Sequence, residues 1–190
     1  MRGKWAQGIV PRSFFWIIKD QMAICERPGG YGTNHRRVRR QEEIIWVREN
    51  DFDVVVSLLA SEHNLHNYEE LVVPWVHEPY GGAQEGPRRL VQVIEKLTTL
   101  TSDGGRIIVH REELNDVVCG LMAAYLLFNG LVGTGPQAIS ILEQLVSRPL
   151  GSPGRQIVDQ IIQFKEEQEE QEEQEAVSYT HLTLPTTPYV

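Results

Sequence analysis

Between residues 110 and 116 the chain reads His110-Arg111-Glu112-Glu113-Leu114-Asn115-Asp116, six of the seven side chains able to move a proton, hold a cation or pair with an anion. Two other segments carry similar groups, Ser61-Glu62-His63-Asn64-Leu65-His66 and His77-Glu78. Imidazole beside carboxylate is a donor set for divalent metals. His63, His66, His77 or Glu78 with Glu112, Glu113 or Asp116 are therefore candidate ligands, and metal-assisted hydrolysis, including phosphoester hydrolysis, is the chemistry they would support. No H-E-x-x-H spacing accompanies them. The acidic residues also have a plainer explanation, because carboxylates at a helix start are favoured by the helix dipole alone. His63 and His66, three apart, equally suit a surface turn.

A second cluster is His35-Arg36-Arg37-Val38-Arg39-Arg40. Arg36, Arg37, Arg39 and Arg40 precede a helical pattern whose dipole they oppose. A phosphate-rich partner, nucleic acid or nucleotide, would account for them; a solvated turn paired with Glu42, Glu43 and Glu49 would do so as well, with Arg40 and Glu43 on one helical face. Tyr31 is the ring nearest the cluster, so base stacking gains little support. Arg27-Pro28-Gly29-Gly30 and Gly81-Gly82 read as loop punctuation. Trp5, Trp16, Trp46 and Trp75 are spread along the chain like core or rim residues.

The elements that must position these groups alternate between strand and helix patterns, as an α/β sheet domain requires. Phe14 to Ile18 and Gln21 to Cys25 flank Lys19-Asp20 and predict a hairpin. Gln41 to Asn50 predicts a charged helix. Asp53 to Leu59 is a β-branched run for a sheet interior, and Leu71 to Val76, interrupted by Pro74, is a second strand. Pro87 opens a helix with Leu90, Val93, Ile94, Leu97 and Leu100 at helical spacing. Arg106 to His110 predicts a third buried strand. Asn115 to Phe128 then predicts a helix apolar nearly all round. Thr134-Gly135-Pro136 and Ser152-Pro153 each announce a further helix.

The chain has 190 residues, 41% hydrophobic, and a formal charge of −8. Seven glutamates fall between Glu166 and Glu175, so the remaining body is close to neutral and carries no domain-wide field for nucleic acid. Cys25 and Cys119 make neither a disulfide framework nor a metal knuckle. Val117 to Phe128 is too short to span a bilayer, which needs about 20 residues. A cytoplasmic protein with no membrane partner is expected. Residues 1–13 read as an N-terminal segment, 14–164 as one domain, and 165–176 as a Glu/Gln-rich helical extension. Residues 177–190 (VSYTHLTLPTTPYV) resemble translated sequencing-adapter read-through and are expected to be a disordered or artefactual tail.

The order strand 106–110, polar turn, helix 117–128 resembles the cysteine-dependent protein tyrosine and dual-specificity phosphatases. His110 and Ala123-Ala124-Tyr125-Leu126-Leu127 match that pattern, as do Trp75-Val76-His77-Glu78-Pro79, where the family carries its general-acid loop, and Arg148-Pro149, Gln156 and Phe164 downstream. The resemblance implies a central, mostly parallel sheet of four or five strands flanked by helices. It also implies a family motif that this chain lacks. The nucleophile's place is taken by Arg111, the turn glycine's by Leu114, the phosphate-clamping arginine's by Val117, and the adjacent hydroxyl's by Val118. Neither Cys25 nor Cys119 is followed by an arginine six residues on.

A guanidinium is neither nucleophile nor leaving group for phosphoryl transfer. Glu112, Glu113 and Asp116 would also oppose a phosphate dianion, with Arg111 alone to offset them. The expectation is a degenerate, catalytically inactive phosphatase-like domain that acts as a binding or scaffold module. It would need no cofactor, and its partner would be a protein or a phosphate-containing ligand. The alternative is the metal-assisted hydrolase or phosphoesterase built on the His/Glu/Asp cluster.

Overall fold

A computed structural model describes residues 7–182. Five strands form one sheet in the order β1-β2-β5-β3-β4. β1 (Phe15–Ile18) and β2 (Met22–Glu26) are the predicted hairpin, joined through Asp20 in the left-handed region at φ 60°. β2 runs parallel to β5 (Ile107–Arg111), β5 to β3 (Val54–Ser57), and β3 to β4 (Trp75–His77). The mostly parallel five-stranded sheet agrees with the sequence expectation.

The strands alternate faces, as a period of two demands. Met22, Ile24, Val54, Val56, Ile107 and Val109 join the larger core, beneath α3 (Pro87–Thr101), α4 (Asp116–Phe128), α5 (Gly135–Val146) and α6 (Ser152–Leu182). Ala23, Cys25, Val55 and Ile108 face the smaller core, which α1 (Arg37–Glu49) covers with Ile44 and Val47 and α2 (His66–Glu70) with Tyr68. Helices thus sit on both faces of the sheet. Phe14, Trp16, Trp46 and Phe52 close the smaller core as a ring cluster, with Trp16 and Phe52 stacked at 5.5 Å. Trp75 packs half-buried at the same core, whereas Trp5 lies outside the described residues. Among the described residues no helix is long and apolar enough to cross a membrane.

Three segments differ from their sequence pattern. The first helix begins at Arg37 rather than Gln41 and ends at Glu49. Its early start is held by an i,i+4 pair between Arg39 and Glu43 at 2.7 Å, so Glu43 partners Arg39 and not Arg40. Of Leu71 to Val76, only Trp75 and Val76 are strand. Leu71 and Val72 form a turn after α2, and pairing starts at Trp75 because Pro74 has no N–H to give the ladder, although its carbonyl accepts from Val55 N at 2.9 Å. The last helix carries on past Ala176 to Leu182 instead of ending where the composition changes, and residues 183–190 lie outside the described residues. Upstream, Ile9 N donates to Glu42 O at 3.1 Å, which ties the N-terminal segment to α1.

Candidate functional site

The β5–α4 turn is built from a buried strand feeding a buried helix. Ile107, Ile108 and Val109 anchor it on one side and Val118, Cys119, Leu121 and Met122 on the other, all at most 1% exposed. Residues 112–115 between them are left to turn at the carboxyl end of the sheet, where open α/β folds bind ligands. The helix that follows is capped from within. Asn115 Oδ1 accepts from Val117 N at 3.1 Å and from Val118 N at 3.3 Å. The N–H groups of Val117 and Val118 at the helix start therefore already have a partner.

The candidates of the turn go separate ways. His110 is 1% exposed, and its Nε2 lies 3.0 Å from the Tyr68 hydroxyl. Burial is the largest influence on it and holds its pKa down to about 3, so it is a neutral core histidine. Arg111 is half-buried at the end of β5, and Glu112 and Glu113 are exposed. The Glu112 carbonyl accepts from Arg27 N at 3.4 Å. Glu113 is hydrogen-bonded by the Tyr31 hydroxyl, whose pKa that contact raises. Asp116 pairs with Arg148 at 3.2 Å, and Arg148 also donates to Leu114 O at 3.4 Å, which straps the turn to the segment between α5 and α6.

The other candidates are likewise occupied. His77 Nε2 meets Leu59 O at 2.7 Å and its Nδ1 lies 3.4 Å from Glu62. Glu78 is held by Arg89 at 2.6 Å. His66 faces Glu70 one turn along α2 at 4.0 Å, and the His63 carbonyl accepts from Arg27 at 2.8 Å. Among the described residues no group of three or more His, Cys, Asp or Glu side chains comes together to hold a metal ion. The expected gathering of His63, His66, His77, Glu112 and Asp116 is therefore not assembled: Asp116 pairs with Arg148, His77 with the Leu59 carbonyl and His66 with Glu70.

The arginine cluster is equally divided. Arg36 donates to Thr33 O and His35 O, both at 3.0 Å, and Arg39 pairs with Glu43. Arg40 is buried against His35, and Arg37 is exposed. No continuous cationic stripe results.

Both thiols are buried. Cys25 is 1% and Cys119 0% exposed. Burial pushes both pKa values up; at Cys119 the Arg148 contact, 3.9 Å from Sγ, pulls the other way but does not prevail. Val117, near the start of α4 where the resemblance implied a clamping arginine, is apolar and half-buried. A Cβ on Gly82 would stand 3.3 Å from Val117 Cγ2, so the 79–86 loop lies directly against the start of α4.

Sequence reasoning gave Arg27, Tyr68 and Arg148 no part in the site, yet these three tie the turn and its neighbours together. The partners that make these ties lie at least 29 residues away, beyond any local pattern.

No family model matches the chain, and no curated protein matches it by sequence. Solved structures do. Kinase associated phosphatase (KAP), with its catalytic-site cysteine replaced by serine, is 16% identical at a TM-score of 0.65, covering 85% of this chain and 97% of that one. Tk-PTP in its active form is 16% identical at a TM-score of 0.60, covering 77% and 92%. Human DUSP28 is 11% identical at a TM-score of 0.58, covering 85% and 99%. Identities this low carry the architecture rather than the chemistry: the chain has the fold of the protein tyrosine and dual-specificity phosphatases.

Proposed function

We propose that this chain is a catalytically inactive phosphatase-like domain, working in the cytoplasm as a binding or scaffold module for a protein or a phosphate-containing ligand. The observation that carries the reading is the start of α4. Asn115 caps the N–H groups of Val117 and Val118, at the end of the turn that would cradle a phosphate, and Val117 packs on the 79–86 loop where a clamping guanidinium would stand.

Four further features support it. Arg111 replaces the thiolate, both cysteines are buried and protonated, and the carboxylates Glu112 and Glu113 are exposed on the turn. Glu78, in the segment resembling the general-acid loop, is bound to Arg89 instead of being free to serve a leaving group. The test is turnover of p-nitrophenyl phosphate by the full chain across the acid-to-neutral range. No release above a no-protein control is expected. Release that is abolished by Arg111→Ala or Glu112→Ala would overturn the proposal.

A further inference from the structure

Arg40 is 8% exposed, and its partner is an imidazole rather than a carboxylate. Its Nη1 lies 2.7 Å from His35 Nε2, and its Nε is buried with no hydrogen-bond partner among the described residues. Arginine has donors only and keeps its charge under burial, so His35 Nε2 must be the unprotonated, accepting nitrogen. Burial first, then Arg40, Arg27, Arg36 and His63, push the His35 pKa down in agreement. Glu43 lies one turn along but does not neutralise Arg40. It accepts from Gly29 N at 2.6 Å and from Arg39 at 2.7 Å. Glu70 acts on Arg40 through space and pulls its pKa up, but burial, Arg27 and Arg37 outweigh it and the pKa is lowered. A buried cation whose hydrogen-bond partner is neutral is an expensive arrangement unless an anion completes it.

A small cavity adjoins this group. Arg40, Arg27, Tyr68 and His110 line it, at the carboxyl ends of β2 and β5. Two arginines from two segments therefore line one space, close enough for the Arg27 charge to act on Arg40, and the planar fork of a guanidinium suits a tetrahedral oxyanion. We propose that the Arg27–Arg40 cavity binds a phosphate-type dianion, at a site distinct from the 111–117 turn. The dianion is favoured over a carboxylate because it matches the charge of both guanidinium groups.

In the form seen, the cavity has room for roughly one water. Its rim is the bond from Arg27 to the His63 carbonyl, 2.8 Å and exposed. An arriving anion gives Arg27 a charged acceptor in place of that neutral one, and charge-assisted bonds are the stronger kind. The 61–65 segment then moves outward to make space. This proposal gives the scaffold reading a ligand but fails separately from it, since p-nitrophenyl phosphate turnover reports on the 111–117 turn.

The experiment is calorimetric titration of the full chain with inorganic phosphate, and in parallel with acetate, at fixed ionic strength. Saturable binding of phosphate is expected, with acetate weaker by about tenfold or more. Arg27→Met should weaken phosphate by about tenfold or more, and Arg111→Gln should leave it unchanged. Arg40→Met should abolish it. Because Arg27 is only partly buried, Arg27→Met reads the site in a folded chain even where Arg40→Met fails to fold. Absence of saturable binding, equal binding by Arg27→Met, or loss of binding in Arg111→Gln would each overturn the proposal.

Discussion

His110 shows how a residue chosen for its chemistry can serve the fold instead. A histidine at the end of a buried strand next to a polar turn reads equally as a ligand or as a core residue, and burial against Tyr68 decides for the core. Its pKa of about 3 lies below the ordinary 6.5, so the unfolded chain binds this proton more readily than the folded one. The stability that His110 contributes is present above about pH 6.5 and is lost as pH falls toward about 3. His35, whose pKa is also lowered, chiefly by burial, adds to that decline. Urea midpoints should therefore drop steadily from neutral to acid pH, and His110→Gln should flatten the slope. Asn115 is the second residue-scale case, because it occupies two helix N–H groups with one oxygen. Asn115→Ala should cost about 1 kcal/mol in urea denaturation at neutral pH.

At the scale of elements, the parts whose pattern is local were legible in the sequence. Val54 to Val56 announce an interior strand, Pro87 a helix start, and Leu90, Val93, Ile94 and Leu97 a buried face, and all stand where the pattern puts them. The segments misread from their pattern depend on partners elsewhere. Leu71 to Val76 has strand composition, but Val55 N takes the Pro74 carbonyl and pairing starts one residue later, so only Trp75–His77 pairs. The candidate metal set was legible as residue types but not as geometry, because Arg89, Arg148 and the Leu59 carbonyl reach it from other segments. Helix contact shows the same dependence. A Cβ on Gly120 would stand 2.6 Å from Gly154 Cα, so α4 and α6 cross with their backbones nearly touching. Gly120→Ala should destabilise the chain by about 1–3 kcal/mol through forced separation of the two helices, read as a lowered urea midpoint with unchanged slope.

For the molecule as a whole, the body and the helical extension have different roles. The larger core takes in Ile157, Val158 and Ile161 of α6 but none of the Glu/Gln repeat, which is exposed from Glu166 to Glu175. Truncation after Glu166 should therefore move the melting temperature by less than about 2 °C while removing most of the negative charge. What remains is a near-neutral body with the phosphatase fold, whose central turn is, in the proposed reading, closed to an oxyanion. The most direct measurement of that closure is the position of tungstate, a tetrahedral dianion, in crystals of the full chain. No tungstate is expected between Arg111 and Val117. Tungstate seated on the backbone N–H groups of residues 112–117 would contradict a closed turn.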